Sequence, residues 1–281
     1  MEIQFAIKKA YLELKQKNIK SALLDSEILM SKILREDRKN IILNPKRIIS
    51  NKDYKDFRNL VLDRLKNKPI AYLIGKKSFW KYDFLLNDKV LIPRPDTELI
   101  VEQVLKICKN KKGINFLEVG TGSGCIILSI LKEKKDFYGT GIDISRKCIK
   151  MSSKNTLNLN LNNRLKLIKS DVDNFKIGKY DLIISNPPYI KKLDLKYLDK
   201  DVVNFEPRNA LDGGLEGISV IKKIIMRSSN LLKNGGKLIL EIAFDQKYKV
   251  KKLLKDEGFY INNIIKDYAK NDRCIISTKI K

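Results

Sequence analysis

From about residue 114 to the end, short β-branched runs alternate with helical ones, and this rhythm constrains the fold more than any other feature of the chain. "INFLEVG", "FYGTGID", "RLKLIKSD", "YDLIISN" and "KLILEIA" carry the valines, isoleucines and aromatics of buried strands. Helical spacing fills the gaps: a helix from about Cys125, one capped by Ser145, and "GISVIKKIIMRSSNLLKN", which Gly235-Gly236 is expected to end. Parallel strands cannot be joined by tight turns and need crossover helices. The alternation therefore predicts an α/β fold, an open and mostly parallel sheet with helices on both faces. A last helix from about Gln246 leads to two late strands, around "FYINNII" and "RCIISTKI".

The first ~70 residues have a different pattern. "IQFAIKKAYLELKQK" has helical spacing, with Phe5, Ala6 and Leu12 expected on one side. Ser21 is placed to cap "SALLDSEILMSKIL", and "NKDYKDFRNLVLDRLKN" predicts a third helix. A small helical bundle follows, over residues 1–75. Residues 76–95 form a connection in which Phe79–Leu86 and Lys89–Ile92 are expected to pair as a hairpin around Asn87-Asp88, closed by Pro93 and Pro95. Asp96 or Thr97 then caps "ELIVEQVLKICKN", the start of a domain expected to span 96–281.

Composition removes several chemistries. The chain has no histidine, so a Ser-His-Asp or Cys-His triad and any histidine-ligated metal are excluded. The four cysteines are scattered without C-x-x-C spacing, which fits a reducing cytoplasm and predicts no metal. No apolar run approaches the ~18 residues of a membrane span, and the amphipathic N-terminus is no signal peptide. The net charge of +25 is compatible with a nucleic-acid partner, but the lysines are spread from end to end rather than gathered on a stripe. Charge alone does not choose the partner.

Four stretches carry chemistry. In "LEVGTGSGCI" three glycines, Gly120, Gly122 and Gly124, mark where the first strand meets its helix, at the switch point where open α/β sheets bind ligands. The spacing is not that of a dinucleotide site, because Cys125 stands where Gly or Ala belongs. Glu118 would repel a pyrophosphate. It suits a cationic ligand, or orders the loop through backbone amides. Asp143 ends the second strand about 20 residues on, where an acid accepts from ribose hydroxyls. Asp171 ends the third and meets either an adenine edge or only its own turn. "SNPPYI" ends the fourth. Asn186 has a side-chain carbonyl, Pro187 a fixed backbone carbonyl and no N–H, and Tyr189 an aromatic face. Two fixed acceptors suit both hydrogens of a planar –NH2 group, an amide or a nucleobase amine, whose delocalised lone pair makes it a weak nucleophile in need of positioning.

These residues resemble the class I S-adenosylmethionine-dependent methyltransferases, with their Rossmann-like seven-stranded domain. "LIPRPDTELIVEQ", "NPPYI" and "FEPRNALDGGLEGI" together resemble the peptide-chain release factor glutamine methyltransferases, the HemK or PrmC family, over nearly the whole chain. That resemblance implies an N-terminal helical substrate-recognition domain, a connecting β-hairpin, and S-adenosylmethionine as cofactor. It implies methyl transfer to N5 of the glutamine in the Gly-Gly-Gln loop of class I release factors, with no membrane, metal or obligatory nucleic-acid partner. By position it assigns Glu118, Gly120, Thr121, Gly122, Ser123, Gly124, Asp143, Asp171, Val172 and Asn186 to the cofactor. Asn186, Pro187, Pro188 and Tyr189 go to the glutamine, with Asn186, Pro187 and Tyr189 as the catalytic set. Val172 departs from the tryptophan often found there, so apolar packing replaces ring stacking. The segment from Phe205 to Leu211 is expected near the pocket mouth. The rivals are a ribosomal-protein glutamine methyltransferase, an adenine-N6 DNA or RNA methyltransferase, and a non-catalytic nucleotide-binding regulator. Pro93-Arg94-Pro95-Asp96 disfavours the first, the absence of an added target-recognition domain the second, and intact Asn186–Tyr189 the third.

Overall fold

A computed structural model describes residues 1–280. The chain divides into two compact units, Met1–Lys76 with Asp199–Phe205, and Lys77–Leu198 with Glu206–Lys281.

The first unit begins with five helices, α1 (Ile3–Gln16), α2 (Ala22–Leu34), α3 (Arg38–Leu43), α4 (Asn51–Leu65) and α5 (Ile70–Ile74). Helix α1 buries Ile3, Ala6, Ala10 and Leu14, a stripe of three- and four-residue steps, against Leu29 and Met30 of α2 and Phe57 and Val61 of α4. Ala6 is on that stripe, but Phe5 and Leu12, expected beside it, are exposed on another. Alanines at 6 and 10 allow close helix packing that bulkier side chains would prevent. Ser21 precedes α2 but makes no capping bond, because its backbone has left the extended conformation that aims a cap oxygen at the first turn. Ser50 does cap α4, accepting from Asp53 N. One ion pair is buried in this core, with Arg64 Nε donating to Asp25 Oδ2 at 2.8 Å.

The hairpin is displaced from the expected one. Its strands are β1 (Lys76–Phe79) and β2 (Tyr82–Leu85), turning at Trp80-Lys81. Trp80 holds a φ of 56° while its backbone N–H bonds Glu98 and its indole N–H bonds Glu133. Tertiary partners, and not turn propensity, hold that position. Asn87 still forms a turn with Val90, but Lys89–Ile92 has no ladder to join, and Ile92 N donates to the Glu206 carboxylate instead.

Next come α6 (Glu98–Ile107), β3 (Asn115–Val119), α7 (Cys125–Glu133), β4 (Tyr138–Asp143), α8 (Arg146–Asn158), β5 (Leu165–Lys169) and β6 (Tyr180–Ser185). The short α9 (Lys200–Phe205) belongs to the first unit. The chain closes with α10 (Ser219–Leu231), β7 (Leu232–Glu241), α11 (Lys247–Asp256), β8 (Phe259–Lys266) and β9 (Asp272–Lys279). Seven strands form one sheet in the order β5-β4-β3-β6-β7-β9-β8. The first five are parallel and the last two antiparallel. The order reverses at β3, which opens a crevice beyond the carboxyl ends of β3, β4 and β6.

Strand side chains alternate between two cores. Phe116, Leu182, Ile184 and Ile239 join α6 and α7 on one face, while Leu117, Ile183, Leu238 and Leu240 join α10 and α11 on the other. Each such buried side chain contributes roughly 1.5–3 kcal/mol. Helix α10 stops at Leu231, short of Gly235-Gly236. Leu232 already pairs with Tyr180, and Lys233–Gly236 bulges before Lys237 resumes register with Leu182. The glycines serve a β-bulge and not a helix end.

Candidate active site

A cavity of about 360 Å³ occupies the crevice at the carboxyl ends of β3, β4 and β6. The β3–α7 turn supplies Glu118, Gly120, Thr121, Gly122 and Ser123 to its wall. Gly120, Gly122 and Gly124 hold φ values of 75°, 55° and 82°, which only glycine adopts without strain. Gly124 does not line the cavity. A Cβ there would meet Ser152 Oγ at 2.5 Å and Leu128 Cδ1 at 2.9 Å, so its place is the packing of α7 onto α8.

Two carboxylates hold this turn. Glu118 Oε2 accepts from Thr121 Oγ1 at 2.7 Å. Asp143, at the end of β4, accepts from Gly122 N at 2.9 Å and from Ser145 N at 2.8 Å. Asp143 thus ties the glycine turn to the start of α8 and still has lone pairs on the cavity side. Burial raises its pKa, while the Ser145 and Gly122 amides oppose the rise. Glu118 is pushed up to about 8, chiefly by burial, against the Thr121 hydroxyl.

The Glu118 shift fixes a sign. Between the ordinary value of 4.5 and about 8, the folded protein holds a proton that the unfolded chain has lost. Stability of the ligand-free protein therefore falls as pH rises through that window. Glu118→Gln keeps the shape and an acceptor for Thr121. It is expected to raise ligand-free stability above pH ~8 by on the order of a few kcal/mol and to flatten the pH dependence. Thermal melts from about pH 5 to about pH 9 check this, and parallel wild-type and variant curves would refute it.

Past β5, Asp171 and Val172 both line the cavity. Asp171 Oδ1 accepts from Asp173 N at 3.1 Å, so this aspartate shapes its own turn while facing the cavity. Val172, with Ile142 and Ile144, makes an apolar wall there.

Past β6 the candidate residues separate. Asn186 and Pro188 line the cavity, while Pro187 and Tyr189 do not. Asn186 Nδ2 donates to Thr97 Oγ1 at 3.0 Å, which leaves Oδ1 as the accepting end of the amide. Pro187 is buried. The Tyr189 hydroxyl donates to Glu241 Oε1 at 3.2 Å, so the expectation of a stacking face on the cavity gives way to a supporting role. Burial, with Glu241 beside it, raises the Tyr189 pKa. The backbone of the stretch is held firmly: Gln246 Nε2 donates to Tyr189 O at 3.0 Å and to Gly217 O at 2.9 Å. A Cβ on Gly217 would meet Tyr189 O at 2.4 Å, which accounts for glycine in "LDGGLEG".

Sequence reasoning missed Arg94, Thr97, Glu206 and Glu241 as individual residues. Arg94 and Thr97 line the cavity along with Pro207 and Asn209. Arg94 and Ile92 N both bond the buried Glu206 carboxylate, which clamps "IPRPDTE" against "FEPRN". Both stretches were visible as motifs, and their mutual contact was not. Thr97 is no helix cap; its hydroxyl is taken by Asn186. Among the described residues no cluster of metal-ligating side chains exists, and no helix is long and apolar enough to cross a membrane.

Residues 6–75 match the family model of the PrmC N-terminal domain, and residues 95–204 that of the methyltransferase small domain. The chain is 37% identical to the release factor glutamine methyltransferase of Clostridium acetobutylicum over 282 residues, spanning 99% of each. This chain belongs to the release factor glutamine methyltransferase family. A second member, from Fusobacterium nucleatum, is 38% identical over 95% of this chain and 76% of its own length. A crystal structure of a methyltransferase from Pyrococcus furiosus shares the fold, with a TM-score of 0.54 and 22% identity over 79% of this chain and 99% of that one. The fold of the sheet domain is thus shared with that solved structure. Within the family's frame, the glycine turn, Asp143 and the Asn186 amide meet around one cavity.

Proposed function

We propose that the protein, acting in the cytoplasm, transfers the methyl group of S-adenosylmethionine to the N5 side-chain amide of the glutamine in the Gly-Gly-Gln loop of class I release factors. The observation that carries this reading is the Asn186 amide, tethered through Nδ2 with Oδ1 available at the cavity, in a chain of this family.

The cavity residues fit the cofactor. Asp143 has acceptor lone pairs for ribose hydroxyls, and the turn it braces is built for close backbone approach. The Asp143 carboxylate on the cavity wall favours a cation over a pyrophosphate, and a bound cation would draw the proton from Glu118. Ile142, Ile144 and Val172 offer apolar surface for a purine. When bound, S-adenosylmethionine supplies an electrophilic methyl on a sulfonium, whose leaving group is a neutral thioether.

The chain's own residues then perform positioning. Asn186 Oδ1 accepts an N–H of the glutamine amide and turns the nitrogen lone pair out of conjugation. Charge that develops on that nitrogen strengthens the same hydrogen bond, so Asn186 contributes more in the transition state than in the ground state. The apolar wall excludes water, and the Gln246 brace fixes the backbone that carries Asn186. As the N–methyl bond forms and the thioether leaves, the amide nitrogen gives up one proton to solvent at the cavity mouth; no imidazole receives it, since the chain has none.

The test is to incubate the purified protein with S-adenosylmethionine and a recombinant release factor, then examine the Gly-Gly-Gln peptide by mass spectrometry. One added methyl on that glutamine is expected. An unmodified peptide, with transfer to a ribosomal protein or to DNA adenine instead, would overturn the assignment.

A further inference from the structure

Asn186 can serve as a clamp only if its amide faces the right way. The two ends of an asparagine amide have the same shape, so packing cannot choose between them, and hydrogen-bond polarity must. Turned over, Asn186 would present two N–H donors to a substrate amine that also carries only donors. Its partner, the Thr97 hydroxyl, does not decide by itself, because a hydroxyl both donates and accepts.

A second group settles the direction. Glu241 ends β7 and is 1% exposed. Its Oε1 accepts from the Tyr189 hydroxyl, while its Oε2 is buried without a hydrogen-bond partner in bonding geometry. The Thr97 hydroxyl is near enough to this carboxylate to lower its pKa, though not in hydrogen-bonding geometry. An ionised carboxylate only accepts, so the single Thr97 proton is drawn to the orphaned oxygen, and only lone pairs remain for Asn186.

We propose that Glu241 and Thr97 are positioning residues for methyl transfer: Glu241 takes the Thr97 proton, Thr97 accepts from Asn186 Nδ2, and Asn186 is thereby held with Oδ1 toward the substrate amine. This rests on the proposed role of Asn186 as the acceptor for the glutamine amide. The groups around Glu241 are Tyr189 beyond β6, Arg273 and Cys274 on β9, and Asp96 and Thr97 ahead of α6. Arg273 is the one cation among them, and it also pairs with Asp267 and Asp96. Burial is the chief cause that lifts Glu241 to about 7, opposed by the Thr97 hydroxyl and Arg273. Below that pH, Glu241 gains a proton and can donate to Thr97, whose own proton then turns to Asn186 Oδ1 and selects the reversed, incompetent amide. Transfer is therefore supported above about pH 7 and lost as pH falls through it.

The experiment follows kcat and KM for release factor methylation against pH, in wild type, Glu241→Gln, Thr97→Val and Thr97→Ser. A parallel measurement follows the Asn186 side-chain N–H2 signals in nitrogen-15 spectra of the cofactor-free protein, identified by their absence from Asn186→Ala. Wild-type kcat should fall about tenfold per pH unit on the acid side. Glu241→Gln should lower kcat roughly tenfold to a hundredfold above pH ~8 and lose the acid limb, with cofactor affinity unchanged. Thr97→Val should match that loss, and Thr97→Ser should restore wild-type turnover. The Asn186 signals should titrate near pH 7 in wild type and not in Glu241→Gln. Wild-type kcat and pH profile in Glu241→Gln would overturn the proposal. So would equal activity of the two Thr97 variants, or Asn186 signals that do not move with pH. If Glu241→Gln fails to fold, the Thr97 pair decides. If no release factor is methylated yet the Asn186 signals titrate as described, the functional assignment fails and the positioning network stands.

Discussion

Asn186→Ala is expected to cut the rate of methyl transfer by roughly a hundredfold to a thousandfold, the cost of losing one preorganised hydrogen-bonding group aimed at developing charge. The side chain is half-buried, and among the described residues its hydrogen-bond partner is Thr97 Oγ1. The truncation therefore removes about 1 kcal/mol of stability and leaves the sheet intact. The backbone that carries residue 186 is held from outside the side chain, through Gln246 on Tyr189 O and through Gly213 N on Ile190 O. A single-turnover rate with release factor, set beside a thermal melt, separates chemistry from folding. Retention of most of the wild-type rate would remove the amide clamp from the mechanism.

The contrast between Asn186 and its supports shows what a sequence can disclose. Strand β3, its glycine turn and Asp143 lie within a span of about 30 residues, and local propensity together with switch-point geometry places them without any coordinates. "SNPPYI" reveals its strand end and its amide for the same reason. Thr97 is 89 residues from Asn186, and Glu241 is 52 from Tyr189. Contacts at such separations are set by strand order, and period-2 patterning does not state which strands are neighbours. Thr97 consequently resembles a helix cap in sequence, since Thr before an acidic residue and an apolar run is the usual signal. Tyr189 resembles a stacking platform until the position of β7 is known. The hairpin failed differently. Asn87-Asp88 is the better turn by local chemistry, yet Trp80 turns because Glu98 and Glu133 hold it there. On α1, Phe5 and Leu12 are more hydrophobic than Ala6 and Ala10, but helix packing selects the smaller face.

The cofactor end of the cavity should respond most to Asp143. Asp143→Ala is expected to weaken S-adenosylmethionine binding by on the order of a hundredfold, measured by calorimetry, because hydrogen bonds to a charged group contribute about 1.5–3 kcal/mol each. Two losses combine. The carboxylate no longer offers acceptors to ribose hydroxyls, and Gly122 N and Ser145 N lose the oxygens that hold the turn in shape. Asp143→Asn divides these contributions, since one end of the amide still accepts while the other can only donate toward the Gly122 or Ser145 N–H. If ribose recognition dominates, Asn should retain part of the affinity and Ala almost none. If the turn dominates, the two variants should be equally weak, and both should lose protection of the Gly122 amide from hydrogen exchange even without cofactor. Wild-type affinity in Asp143→Ala would sever Asp143 from the cofactor altogether. The apolar wall and Glu118 would then have to account for binding, although neither offers the neutral-pH acceptor pair that a vicinal diol requires, Glu118 being protonated up to about pH 8 in the cofactor-free protein.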